Sequence, residues 1–215
     1  MVFFDVDGTL TPASSGLHLA GFFGNVEVIL EVQAGYGAGS LSSREAAVLE
    51  ARGWATRTPA EVRGFLDSLP LVDGIAETVV WCRERGLVPV LATLAWDVVG
   101  AYLCDRFGFD QACGPRLEVI DGRYSGHVAE LFDELAKRDF AVGLAAELGV
   151  QRRWCAAVGD GRSDVPLFGA VGLPVAFNAN PAARAAAHAS IDGNDLRTVL
   201  PLLDAWLNAP HASME

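Results

Sequence analysis

The chain has 215 residues, of which 51% are apolar and 20% charged, and its formal net charge is −11. That composition belongs to one large domain or a domain with an insertion, and it excludes a disordered chain. The charge argues against nucleic acid as a partner, and no apolar run reaches the roughly 18 residues of a membrane span.

The opening run Met1-Val-Phe-Phe-Asp-Val-Asp-Gly-Thr-Leu-Thr-Pro12 predicts a short buried strand over Val2 to Val6. Asp5 and Asp7 fall where a signal peptide would need a basic start and an apolar core, so a cytoplasmic protein is expected. Residues 14 to 70 hold no clear strand. Ser42-Ser-Arg-Glu45 and Thr58-Pro-Ala-Glu61 fit capping boxes, and the second has proline at the first helical position. The segment reads as about four short helices, hinged at Leu10 to Gly16 and at Leu69 to Gly74. Its apolar residues, among them Leu17, Leu19, Phe22, Val26, Ile29 and Val32, are expected to form its core, with some walling a pocket. Gly35-Tyr-Gly-Ala-Gly39 reads as a flexible connection, because it follows a helix and not a strand.

Beyond residue 74, helical and strand patterns alternate. Ile75 to Arg85, Trp96 to Phe107 and Arg138 to Leu148 carry helical spacing, with Gly86, Gly108 and Gly149 just past their ends. Leu87 to Ala92, Trp154 to Val158 and Leu173 to Phe177 read as buried strands. Asp121-Gly122 between two extended runs predicts a hairpin over Arg116 to Val128. The Ala-rich stretch near residues 182 to 187 is taken as helix. The four cysteines, Cys82, Cys104, Cys113 and Cys155, are scattered and are read as reduced thiols. His127, His188 and His211 have no evident partners. The expected fold is an α/β, doubly wound parallel sheet with an inserted helical cap. The core is assigned to residues 1–13 and 72–215, the cap to residues 14–71. Nothing in the sequence indicates an oligomeric state.

Ligands of an open parallel sheet bind beyond the carboxyl ends of its strands. Asp5 and Asp7 lie there, as do Thr93 and the run Gly159-Asp-Gly-Arg-Ser-Asp164. Four carboxylates in one pocket repel each other, by roughly 4 kcal/mol per pair at 4 Å and an effective dielectric near 20. An all-oxygen donor set suits Mg2+, which keeps waters and accepts substrate phosphate. Lys137 adds a further cation, and Gly8, Thr9 and Thr93 offer backbone N–H groups and hydroxyls to a phosphate.

Asp5-Val-Asp-Gly-Thr9, Thr93, Lys137 and Gly159-Asp-Gly-Arg-Ser-Asp164, in this order, resemble the four motifs of the haloacid dehalogenase superfamily of phosphohydrolases. The likeness runs from Val2 to about Leu203 and is strongest to the phosphoserine phosphatase branch, with its helical cap and hairpin. The resemblance implies a HAD-like, Rossmannoid core and a Mg2+-dependent phosphatase working through an aspartyl-phosphate on a small phosphorylated metabolite. Asp5 would be the nucleophile and Asp7 the general acid and base. Asp5, the backbone carbonyl of Asp7 and Asp160 would hold Mg2+, with Asp164 supporting them. Thr93, Lys137 and Gly8 would bind phosphate. Asp7 favours phosphoryl transfer over carbon–halogen cleavage, which needs only the first acid.

The sequence departs from that branch in its substrate readers. The position of the cap glutamate falls on Ser14 and that of the cap arginine near Val48, with Arg44 and Arg52 as substitutes one turn away. Leu94 and Ala95 replace a glycine pair, and Ser163 an asparagine. These changes argue for a substrate other than phosphoserine, with a phosphoserine phosphatase as second reading. A phosphotransferase or mutase, and a catalytically idle binding protein, remain further alternatives. Trp96 is expected to line the pocket, and His18 to be a bystander in the cap.

Overall fold

The computed structural model describes residues 1–209. His211 and the last six residues assigned to the core, 210–215, lie outside them. The first strand, β1 (Val2–Phe4), is followed by four helices: α1 (Ser15–Phe23), α2 (Val26–Gly37), α3 (Ser43–Ala51) and α4 (Pro59–Leu66). Then come α5 (Ile75–Glu84), β2 (Pro89–Ala92), α6 (Asp97–Phe107) and β3 (Ala112–Cys113). A hairpin follows, β4 (Arg116–Ile120) and β5 (Arg123–Glu130). The chain continues through α7 (Glu134–Glu147), β6 (Ala156–Gly159), α8 (Val165–Phe168), β7 (Leu173–Phe177), α9 (Pro181–Ala186), β8 (Ala189–Ile191) and α10 (Leu200–Asn208).

Six strands form one parallel sheet in the order β3-β2-β1-β6-β7-β8. Alternate residues of β1 explain its double burial. Val2 and Phe4 join one apolar cluster with α5, α6 and α10, whereas Met1 and Phe3 join a second with α7, α8 and α9. A strand with side chains on both faces has to be apolar at every position, as Val2-Phe-Phe4 is. The chain runs outward from β1 to β2 and β3, then restarts on the other side at β6. The crevice between β1 and β6 is therefore the point where strand order reverses, and the carboxyl ends there are the expected ligand site.

Both capping boxes form. Ser42 accepts from Glu45 N–H at 3.2 Å and Thr58 from Glu61 N–H at 3.1 Å, while each glutamate accepts from the cap residue's N–H. The hairpin turn places Asp121 and Gly122 at φ 50° and 75°, as a tight two-residue connection requires. The two chain passages between sheet and helices run side by side, with Val72 N–H donating to the Leu10 carbonyl at 2.9 Å. Leu19, Trp54, Val62 and Leu66 of the helical insertion share one apolar cluster with β1 and α6. No helix among the described residues is long and apolar enough to cross a membrane.

Several expectations shift. Leu19, Ile29 and Val32 are buried, but Phe22, Val26, Val28 and Leu30 are exposed. Phe22 of α1 stacks on Phe65 at the edge of the insertion, with ring centroids 4.4 Å apart, and Val26, Val28 and Leu30 lie on the face of α2 turned from its main neighbours α1 and α3. The Gly35 to Gly39 run is not a free connection: Gly35 to Gly37 form the last turn of α2. The helix expected from Arg138 starts one turn earlier, at Glu134, because Asp133 caps the N–H groups of Leu135 and Ala136. β3 and β8 have two and three residues, too few for a pattern to register.

Candidate active site

The ends of β1, β2 and β6 deliver Asp5, Asp7, Thr93 and Asp160 to the rim of the crevice, where all four line one cavity of about 340 Å³. That is ample for a small organic phosphate. Asp5 is held by its backbone, donating its N–H to the Val158 carbonyl at 2.9 Å. Asp5, Asp160 and Asp164 each present an oxygen within 4.8 Å of the others. Lys137, wholly buried in the first turn of α7, ties two of them together: its Nζ lies 2.6 Å from Asp164 Oδ1 and 3.0 Å from Asp5 Oδ1. Burial alone would lower the lysine's pKa, but the two carboxylates outweigh it and hold the ammonium well above its ordinary range.

Asp164 accepts from the N–H groups of Asp160 and Gly161 with its other oxygen, at 3.1 and 3.0 Å. Its oxygens are occupied by donors, which suits a residue that supports a metal site without ligating. Asp160 is the opposite case. Burial raises its pKa, and the charges of Asp5 and Asp164 push in the same direction. A single lysine leaves such a cluster short of positive charge. The all-oxygen donor set, the unpaired charge and the close approach of Asp5 to Asp160 all fit a hard divalent cation.

Gly8 sits at φ 83°, and a Cβ there would overlap the Asp160 carboxylate. It therefore backs onto the acid cluster, and the cavity wall is made by its neighbours. Asp7 turns away from the cluster: its Oδ1 accepts the Ser15 N–H at 2.8 Å. Burial lifts its pKa to about 6, with a smaller push from Asp5, while the Ser15 hydrogen bonds act against the shift. The dominant cause is burial, which depends on the helices above. Thr93 is fully buried and its hydroxyl accepts the Ala95 N–H at 3.0 Å, so the threonine itself holds the turn in which Leu94 and Ala95 stand.

The roof is built by helices. Ser43, Ala46, Ala47 and Glu50 of α3 line the cavity at the i, i+3, i+4, i+7 spacing of one helical face. Gln33 and Tyr36 of α2 add to it. Val48 is 43% exposed on the opposite side, so the register expected for a cap arginine falls off the pocket face. Arg44 points outward and pairs with Asp133 at 2.6 Å, and neither it nor Arg52 lines the cavity. Ser14 lines it, while its hydroxyl caps α1 by accepting the Leu17 N–H at 3.3 Å. Trp96 lines it as expected and packs edge-on to Trp54. His18 bonds to the Phe65 carbonyl, away from the cavity.

Sequence reasoning missed Glu50, Tyr36 and Arg162. Tyr36 and Ser43 donate their hydroxyls to the two oxygens of Glu134, at 3.0 and 2.9 Å. The Arg162 guanidinium lies over the Tyr36 ring and donates to the Tyr36 carbonyl at 3.0 Å. These contacts latch the roof to the start of α7, one turn from Lys137. Burial raises the Glu50 pKa to about 7, with the Asp7 charge adding and the Trp96 indole opposing. The small-residue face of α3 was the signal available for Glu50.

The phosphoserine phosphatase of Streptomyces coelicolor is 33% identical over 94% of this chain and 50% of its own length. That of Methanocaldococcus jannaschii is 33% identical over 60% of this chain and 61% of its own. The chain thus spans about half to three fifths of these curated relatives. A solved phosphoserine phosphatase, described as a phospho-aspartyl intermediate analogue, superposes with a TM-score of 0.85 at 26% identity, covering 94% of this chain and 97% of that one. The profile of the haloacid dehalogenase-like hydrolases matches residues 2–169, and the chain belongs to that family.

Proposed function

We propose that the chain is a Mg2+-dependent phosphomonoesterase that passes a phosphoryl group from a small metabolite to Asp5 and then to water. The observation that carries this reading is the meeting of Asp5, Asp160, Asp164 and Lys137 at the β1–β6 crevice. Asp5, Asp160 and the backbone carbonyl of Asp7 would hold the metal, with Asp164 behind. Bound there, a divalent cation would offset the carboxylates and the incoming phosphate charge.

Asp5 attacks phosphorus, and the phosphorus–oxygen bond to the leaving alcohol breaks. Asp7, whose raised pKa keeps a share of it protonated near neutral pH, gives its proton to the leaving oxygen. The same carboxylate then takes a proton from the water that hydrolyses the aspartyl-phosphate. Lys137 keeps the Asp5 carboxylate oriented, and Thr93 and the Gly8 turn bind phosphoryl oxygens. Residues 14–71 act as the cap, and the Tyr36–Glu134–Arg162 latch keeps bulk water out during the first step.

The names of the relatives favour phosphoserine, which sequence reasoning had ranked second, as the first substrate to test. The departures at Ser14 and near Val48 do not exclude it. Phosphate release from L-phosphoserine and a metabolite panel, with Mg2+ and with a chelator, tests the reading. Release that needs both Mg2+ and Asp5 supports it. A silent panel, or an Asp5→Asn protein that still turns over, would sink it.

A further inference from the structure

We infer that Glu50 is a specificity-determining residue that holds an ammonium group on the leaving side of the substrate. The inference rests on the phosphatase reading above and narrows its substrate class to ammonium-bearing phosphomonoesters.

The cavity has two unlike ends. At the strand ends, Asp5, Asp7 and Asp160 face the phosphate position. Under the roof the one ionisable side chain of α3 that lines the cavity is Glu50, on a face otherwise made of Ser43, Ala46 and Ala47. The two alanines leave room for a small leaving group and offer no polar side-chain atom. As a carboxylate Glu50 accepts hydrogen bonds and donates none, and an ammonium beside it would hold it in that ionised form. Glu50 has no ion pair among the described residues. Its Oε2 lies 3.7 Å from where a Cβ on Gly16 would stand, beside the first turn of α1, which supplies only a partial positive charge.

Charge decides between a hydroxyl and an ammonium. Glu50 joins Asp5, Asp7, Asp160 and Asp164 as a fifth carboxylate, against Lys137 and Arg162. Lys137 is committed to Asp5 and Asp164. Arg162 is committed to the Tyr36 carbonyl and stands 3.5 Å from Glu134. With Asp7 protonated as the leaving-group acid, a divalent cation brings this set of charges to about neutral, and the phosphate dianion then makes the cavity negative. A cationic leaving group relieves that excess, a neutral one does not, and an anionic one worsens it. A carboxylate on the substrate is therefore dispensable, whereas the ammonium is not.

The test compares kcat/KM for O-phosphoethanolamine, L-phosphoserine, glycerol 3-phosphate and phosphoglycolate. The native enzyme should favour the two ammonium-bearing esters over glycerol 3-phosphate at least tenfold, with phosphoglycolate last. Glu50→Gln should shrink the ratio of phosphoethanolamine to glycerol 3-phosphate at least tenfold, mainly through KM. A native enzyme with no preference for the ammonium, or a variant that loses all four in equal proportion, overturns the inference. Calorimetry on Asp5→Asn protein gives a second reading that needs no turnover and no change at Glu50. Preferential binding of phosphoethanolamine over glycerol 3-phosphate supports the inference even if the native chain releases no phosphate, in which case the phosphatase reading fails alone. Equal binding of the two overturns it.

Discussion

The two ends of the cavity are built on different physical terms. At the strand ends, one buried cation ties the acids together: Lys137 meets Asp5 and Asp164, and Asp164 also takes two backbone N–H groups. Backbone hydrogen bonds of the sheet and the Gly8 turn fix the positions of these groups. At the roof, helices held partly by side-chain contacts carry one acid without an ion pair among the described residues. The first arrangement suits a reaction that is the same for every phosphate ester. The second suits the part of the substrate that varies, since a helix face can change residue by residue while the sheet stays intact.

Removing the proposed nucleophile separates the two ends most sharply. Asp5→Asn should lower phosphate release on the order of 10^4-fold or more while far-UV circular dichroism stays unchanged. Losing the buried cation should cost both ends at once. Lys137→Ala leaves Asp5 and Asp164 buried side by side, and urea unfolding should report a loss of about 3–5 kcal/mol. Asp164→Asn exchanges one of the two acceptor oxygens that hold Lys137 and the Asp160 N–H for an amide donor, and a Mg2+ titration of activity should show about 10–100-fold weaker affinity.

Acid–base linkage predicts how the metal-free protein answers to pH. Asp7 and Glu50 have folded-state values of about 6 and about 7, above the ordinary 3.8 and 4.5. The folded chain therefore keeps protons that the unfolded chain has released. Their contribution to stability is complete below about pH 4 and is lost as pH rises through 6 to 7. With chelator present, stability should fall across that window by on the order of 3 kcal/mol for Asp7, read as a lower melting temperature. Asp7→Asn should flatten the curve, and an unchanged curve would contradict the burial of this acid.

The smallest effect tests the latch. Glu134→Gln weakens its bonds to Tyr36, Ser43 and Arg162 and leaves Asp5 untouched. It should raise KM a few-fold and change kcat less, read in steady-state kinetics. A loss confined to kcat would place Glu134 with the chemistry at the strand ends and erase the contrast.

The strand-end chemistry was legible in the residue order. An apolar run followed by paired acids, a threonine after a second run and the Gly-Asp-Gly-Arg-Ser-Asp motif are local features, and the rule for open parallel sheets brings them together. Capping boxes and the Asp121-Gly122 turn were equally plain, because each depends on residues within one turn of chain. The roof was not. Whether Val48 or Glu50 faces the cavity depends on the rotation of α3 about its axis, which α2 and β5 set by packing against it. The pKa of Asp7 follows from burial beneath that roof, and the pairing of Tyr36 with Glu134 joins positions far apart in the chain. Local chemistry was written in sequence because short-range hydrogen bonds and side-chain alternation specify it. The identity of the cavity's roof residues came only with the fold, since helix rotation is decided by contacts between distant segments.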